Sequence, residues 1–310
     1  MLVTKRDGSM VPLDIKQVRK QTIPACAGLE NVNYRGLEED VELSLRDGIT
    51  SKEIQKILIR SAADKISIES PDYTYVAARL TLYDLYHSIK HYHGKKGSGD
   101  VYRMVTLKDY IKKYSNLFSE WYTKYTDEEI DELDSVIDGK RDLLFNYLGV
   151  EVLINRYLVR YNGKPVELPQ HMHMCIAMFL MQDEKENRLQ YIKDLYEETS
   201  NLRYINATPI NSNGRVKDGG LVSCFLGYVG DSAESIMSMA TDTAIASKFG
   251  AGAGWDWSSV RAASDPIRGY PEASGGKIPM IKIYADILLA FNQLGKHCAP
   301  IYSNVYSKSF

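Results

Sequence analysis

The sequence predicts a multidomain protein of mixed α+β and α/β class, and three observations carry that expectation. A short hairpin pattern at the N terminus leads into amphipathic helical stretches. The middle of the chain reads as mostly helical. Near residue 221 an apolar strand passes through a Gly-Asp turn into a helix and then a Gly/Ala-rich turn. A length of 310 residues suits two or three domains, and 44% hydrophobic with 25% charged residues is a globular composition able to bury a sizeable core.

Composition also excludes several function classes. The formal net charge is -2, so nothing calls for nucleic acid or an anionic membrane, and an anionic ligand would have to be met by local groups. The opening Met-Leu-Val-Thr-Lys-Arg-Asp-Gly contains no apolar signal segment, and no run is long enough to span a bilayer. Cysteines stand at positions 26, 175, 224 and 298, with no CxxC pair and no metal-ligand spacing. A reducing cytosol and a chain without a metal are therefore expected, with Cys224 a chemical thiol and not a staple. The 22 tyrosines show no periodicity and read mostly as packing.

Taken in order, Val3 to Leu13 reads as a hairpin about the two-residue turn Asp7-Gly8, with Lys5 and Arg6 just before it. A solvated strand edge would account for those two cations as well. Thr50 and Glu53 form a capping box for a helix with an apolar stripe of Ile54, Ile57, Leu58 and Ile66. A second helix follows the Pro71-Asp72 break, through Tyr75, Ala78, Leu82 and Leu85. The polar, Gly-rich stretch His93 to Gly99 reads as a linker and lacks P-loop spacing. Thr126 and Glu129 repeat the capping box ahead of Ile130, Leu133 and Ile137. Asn162-Gly163 predicts a hairpin within Tyr157 to Leu168, followed by an apolar helix around Ile176 to Met181 and an amphipathic one from Arg188 to Glu198. His171, His173 and Cys175 read as packing, because only His171 and Cys175 would share a helical face and no further ligand is near.

The stretch from Thr208 to Arg268 concentrates the chemistry. Leu221 to Leu226 is a short apolar strand carrying Cys224, which taken alone is most simply a small core residue. Thr208 precedes it, Ser223 adjoins it, and Asp231 follows at the next turn. Asp231 with Glu234 reads as a capping box on a helix to about Ser247. Gly250 to Gly254 is too generic to mean dinucleotide binding and reads as a loop. Arg261 and Arg268 suit bidentate phosphate binding, with a surface ion pair as the second choice. Lys277 to Leu294 is a further helix closed by Gly295.

Two sets of motifs resemble a known family. The opening Val3-Thr4-Lys5-Arg6-Asp7-Gly8 and the closing run from Pro71 to Leu80 resemble an ATP-cone, and the pattern from Val3 to about Gly295 resembles the large, catalytic subunit of class I ribonucleotide reductase. The resemblance covers less than half of such a subunit. It implies an ATP-cone at 1–95, a helical domain at 96–205 and the first part of a ten-stranded α/β barrel at 206–310. It implies that Val3, Lys5, Arg6, Ser51 and Ile54 contact ATP or dATP in the cone, where Ser51 replaces a Thr, Gln55 a common His, and the usual charges near Val11, Gln17 and His87 are missing. Cys224 is then one of two thiols that reduce the substrate. Thr208 and Ser223 would hydrogen-bond that substrate, and Ala251 and Gly252 would approach it through backbone amides. Asp231 would bind the ribose of a deoxynucleoside triphosphate effector at a first effector loop around residues 250–254, with Arg261 and Arg268 on its phosphates.

The resemblance further implies reduction of ribonucleoside diphosphates to deoxyribonucleotides by radical chemistry, a radical-generating small subunit, and thioredoxin or glutaredoxin as external reductant. The second reducing Cys, the finger loop with its radical Cys, and the C-terminal Cys pair are not in the 310 residues. A C-terminal half on a separate chain, in homo- and hetero-oligomers, is therefore expected, with the isolated chain inactive. Cys298 lies where the match has faded and receives no catalytic role. The rival expectations are a non-catalytic regulatory fragment that binds ATP or dATP, and a structural fragment that binds partners but no nucleotide.

Overall fold

The computed structural model describes residues 2–5, 8–44, 46–96, 100–217, 219–248 and 251–291. The chain divides into two compact units, Met1–Ile205 and Asn206–Phe310. Arg6, Asp7, Gly97 to Gly99, Gly250, Asn292 to Gly295 and Cys298, all singled out in the sequence, lie outside the described residues.

In the first unit, β1 (Leu2–Thr4) and β2 (Met10–Pro12) pair antiparallel with Val3 opposite Val11. Of the two-residue turn expected at Asp7-Gly8, Asp7 lies outside the described residues. The ladder continues to Lys5 and Ser9, whose N–H···O bond is 2.8 Å, and Gly8 takes φ +84. A left-handed position such as that of Gly8 is one where Gly has no steric cost. Four helices complete this part: α1 (Ile15–Cys26), α2 (Tyr34–Leu43), α3 (Ser51–Asp64) and α4 (Tyr73–Tyr92). Asp14 and Asn33 cap the first two through side-chain oxygens, and Thr50 with Glu53 makes the expected reciprocal box on α3. The stripe on α3 is shorter than expected, because the helix stops at Asp64 and leaves Ile66 outside it and exposed. Val3, Val18, Leu37, Val41, Leu58, Val76 and Leu80 meet in one buried cluster. This burial is what holds a three-residue strand in place.

The rest of the unit contains α5 (Val101–Met104), α6 (Leu107–Tyr114), α7 (Asp127–Ser135), α8 (Tyr147–Val152), the strands β3 (Arg160–Tyr161) and β4 (Lys164–Pro165), α9 (Pro169–Leu180) and α10 (Arg188–Ser200). The Thr126–Glu129 capping box forms, although α7 ends before Ile137. Asn162 and Gly163 both have positive φ, as a two-residue hairpin between right-twisted strands requires.

The second unit is built on a parallel pair. A short helix α11 (Thr208–Asn213) precedes β5 (Cys224–Tyr228), α12 (Ala233–Lys248), β6 (Gly252–Asp256) and α13 (Ile278–Ala290). The strand expected at Leu221 to Leu226 is thus shifted to Cys224–Tyr228, in register with β6 from Cys224↔Gly252 to Tyr228↔Asp256. The loop expected at Gly250 to Gly254 is corrected too, since Gly252 to Gly254 form part of β6. Val229, Ala240, Ala253, Trp255, Trp257 and Tyr284 pack together with Met280 and Ile281 between strands and helices. No helix among the described residues is long and apolar enough to cross a membrane.

Candidate functional sites

A cavity of about 780 Å³ opens in the first unit between the β1–β2 hairpin, α1, α3 and α4. Val3, Lys5, Ser51 and Ile54, four of the five residues assigned to the cone, line it together with Val11, Gln17, Gln55 and His87. The fifth, Arg6, lies outside the described residues. Val3 and Ile54 are buried and supply an apolar wall, while Lys5 is exposed at the mouth. Gln55 is fixed in place by donating from Nε2 to the Leu80 carbonyl at 2.8 Å. Sequence reasoning missed Lys90, His91, Lys95 and Lys96, which also line the cavity. Their only sequence signal was a basic run after a helix, which reads equally as a linker.

A larger cavity of about 1040 Å³ shares Tyr83, His87 and Lys90 of α4 with it and contains none of the five residues assigned to the cone. Beside it, Asp142 is fully buried, accepting from the hydroxyls of Tyr86 (2.5 Å) and Tyr102 and from Gln170 Nε2 (2.7 Å). Burial pushes its carboxyl up to about 6, although three donors pull in the other direction. His171 is buried between the rings of Tyr102 and Tyr110, and burial pushes its imidazole down to about 3, so it is neutral. His173 stacks on Phe145 and Cys175 is buried. Among the described residues, no three His, Cys, Asp or Glu side chains are grouped to hold a metal ion.

In the second unit Cys224 begins β5 as an exposed free thiol, with the Ser223 hydroxyl 3.5 Å from its sulfur. Strand alternation sorts the two faces of the pair. Ala253 and Trp255 point into the core against α12 and α13, and Gly227 opposite Trp255 has no room for a Cβ, which would stand 2.6 Å from the indole. Cys224, Leu226 and Tyr228 therefore stand on the other face, opposite Gly252, Gly254 and Asp256. Gly252, opposite the thiol, and Gly254, opposite Leu226, add no side chain to that face. Thr208 is exposed at the start of α11.

The Ala251 and Gly252 amides were expected to face a substrate, and this requires correction. They donate instead to the Ala246 carbonyl (3.0 Å) and the Ser223 carbonyl (2.7 Å). The second of these bonds extends the β5–β6 ladder, so Gly252 serves as the strand partner of Cys224.

Asp231 does not make the capping box expected with Glu234. Ser232 takes that place, its hydroxyl accepting from the Ser235 amide at 3.1 Å. Asp231 instead receives Arg261 Nε at 2.8 and 3.1 Å and the Arg261 amide at 3.2 Å. Both side chains remain about one-third exposed, at 33% and 35%. Arg261 also donates to the Pro266 carbonyl at 3.3 Å, at the base of a small hairpin closed by mutual bonds between Ile267 and Tyr270. Arg268 stands exposed at the tip of that hairpin with φ +50. The structure thus joins Asp231 to Arg261 directly. Cys224 and Tyr228 mark the two ends of β5, about 13 Å apart at strand rise.

A cavity lined by lysines in a hairpin-and-helix unit and an exposed thiol on a βαβ unit mark a multidomain protein of mixed α and β structure. Family models place it further. The ATP cone domain matches residues 1–88, the ribonucleotide reductase all-alpha domain 143–219, and the ribonucleotide reductase barrel domain 222–302. Ribonucleoside-diphosphate reductase subunit alpha of Helicobacter pylori is 40% identical over 98% of this chain, that of Synechocystis 36% over 96%, and ribonucleoside-diphosphate reductase 1 subunit alpha of Escherichia coli 34% over 95%. The chain spans 38% of the length of each of these relatives. It belongs to the ribonucleotide reductase family and corresponds to the N-terminal portion of its alpha subunits: an ATP-cone, a helical all-alpha domain and the start of the barrel.

Proposed function

We propose that this chain provides the N-terminal part of the catalytic subunit of a ribonucleoside-diphosphate reductase, with domains at 1–95, 96–205 and 206–310. The observation that carries the reading is Cys224, an exposed thiol on the open face of the first barrel strand, flanked by Ser223 and by glycines of β6. Reduction at the 2′ carbon breaks a C–O bond, forms a C–H bond and releases the hydroxyl oxygen as water. Two thiols supply the two electrons and two hydrogens and close a disulfide. Cys224 is one of them. Its partner and the radical-bearing groups belong to the rest of the barrel, which pairs with β5. Ser223 and Thr208 hydrogen-bond the substrate.

Asp231 and Arg261 form the deoxynucleotide effector site, with Arg268 reaching the phosphates. In such a site the Arg261 fork exchanges its carboxylate partner for phosphate while Asp231 turns to the ribose hydroxyl. The cone cavity takes ATP or dATP as an overall activity switch through Val3, Lys5, Arg6, Ser51 and Ile54. A radical-generating small subunit, thioredoxin or glutaredoxin as reductant, a reducing cytosol and an oligomeric assembly complete the reading.

The cavity taken without the thiol supports a narrower function, an ATP- or dATP-binding regulatory module. Reconstitution with the remaining barrel and the small subunit separates the two. Effector-dependent reduction that Cys224→Ser abolishes, with effector binding kept, is expected. Near-normal turnover by that variant would overturn the catalytic assignment, and no turnover by the parent assembly would leave the regulatory module.

A further inference from the structure

The lysines of the cone cavity are unevenly placed. Lys5 comes from the hairpin, whereas Lys90, Lys95 and Lys96 come from the end of α4 and the turn after it. Against these four stands one lining carboxylate, Asp14, which is already occupied in accepting the Lys16 amide at 2.9 Å as the cap of α1. In a chain of net charge -2, this local excess of cations marks a polyanion site.

The turn explains how the lysines reach the cavity. Gly94 takes φ +66, and the Gly94 and Lys95 amides donate back to the His91 carbonyl at 2.9 Å and the Lys90 carbonyl at 3.1 Å. This Schellman-type closure stops the helix and turns Lys95 and Lys96 back towards the cavity. Lys95 has a second partner as well. Its ammonium lies 2.9 Å from Oδ2 of Asp109 on α6, with the two side chains 39% and 42% exposed. The pairing holds the Asp109 carboxyl below its usual range. An independent tie, Lys113 Nζ to the Tyr92 carbonyl, also joins α6 to the end of α4. A half-exposed ion pair is a weak holder of a lysine, and a polyphosphate offers more charge at similar distance.

We propose that Lys90, Lys95 and Lys96 grip the phosphates of a nucleoside triphosphate in the cone cavity, and that capture of Lys95 breaks its pair with Asp109 and so removes one tie between α4 and α6. The proposal rests on the cavity's being the nucleotide site and adds to it a residue set and a regulatory exchange. The ligand is recognised at its polyphosphate end by cations that compensate for the charges missing near Gln17 and His87. Asp109 is the competitor that ligand binding must displace.

Calorimetric titration of the full 310-residue chain with ATP tests this, with inorganic tripolyphosphate as a second probe. Lys95→Ala should weaken ATP binding about two- to fivefold, the range for a partly exposed charge contact. Asp109→Asn should tighten it by a similar factor, because Lys95 is no longer shared. A purely structural pair predicts the opposite sign or no change for Asp109→Asn, and either result overturns the proposal. If Lys5→Ala weakens ATP binding while Lys95→Ala and Asp109→Asn match the parent, the cavity is the nucleotide site and the exchange is wrong. Tripolyphosphate binding as tightly as ATP would remove the nucleotide from the proposal. A parent chain that binds neither probe overturns the site and the exchange together.

Discussion

The strands that open the two units are treated in opposite ways. In the first unit β1 is three residues long, yet Val3 is buried in the core and the strand is held on its second side by Thr4 N to Ile49 O and Gly48 N to Leu2 O, each 3.0 Å. In the second unit every residue of β5 is exposed, including Leu226 at 85% and Tyr228 at 67%, although β5 is the longer strand and pairs fully with β6. A parallel pair is ordinarily covered on both faces. Burial therefore closes within the first unit, while the second presents an apolar strand, a thiol on one of its faces and, among the described residues, an open edge. Open edges and apolar faces recruit further strands. In the proposed function, that face is where the rest of the barrel completes the site around Cys224.

The largest expected effect tests the closed half of this contrast. Leu58 is fully buried, so Leu58→Ala should destabilise the first unit by about 2–5 kcal/mol in urea unfolding. Leu226→Ala, on the open face, should change the stability of the isolated chain by less than about 0.5 kcal/mol. Equal costs would mean that β5 is covered after all.

A somewhat smaller effect concerns Asp142. Its folded-state pKa is raised to about 6, above the ordinary carboxylate value. The protonated form is thus favoured in the fold, and its contribution is fully present below the unfolded pKa and lost as pH rises towards 6. Two pH units correspond to about 2–3 kcal/mol at this fully buried group. The stability difference between the parent and Asp142→Asn should therefore shift by that amount against the parent between about pH 4 and pH 6, then stay level. A flat difference across that window would contradict the burial argument.

Asp231 should give a still smaller effect, of a different kind. Its pair with Arg261 is one-third exposed, so Asp231→Asn should cost less than about 1 kcal/mol of stability. Effector binding should fall by about 1–3 kcal/mol, the scale for a hydrogen bond to a charged group. Lost stability with unchanged effector affinity would show that Asp231 supports only the fold.

What the sequence revealed follows the range of the interactions involved. The capping boxes at Thr50 and Thr126 and the hairpin at Asn162-Gly163 were legible because their partners lie within three residues. The helices α1 and α2 went undelineated even though Asp14 and Asn33 cap them, since single caps without a Glu three residues on are weak signals. Asp231 misled because a D-x-x-E spacing imitates a capping box, while its true partner is 30 residues away. The bounds of β5 were misjudged because apolarity at Leu221 and Val222 speaks of burial, whereas pairing is set by β6. In the first unit, Val3, Lys5, Ser51 and Ile54, named from the resemblance, line one cavity, whereas the place of Lys95 and Lys96 in its lining was not legible, since it depends on a left-handed Gly94.

The most direct test of Cys224 is to follow its sulfur through one turnover. The chain, assembled with the remaining barrel and the small subunit, would be given substrate and effector without external reductant, then alkylated and mapped by mass spectrometry. Cys224 should pass from free thiol to a disulfide with a cysteine of the remaining barrel, in proportion to deoxynucleotide formed. Buried Cys175 and half-buried Cys26 should stay reduced, which provides the internal control. Deoxynucleotide formed while Cys224 remains fully alkylatable would contradict the account.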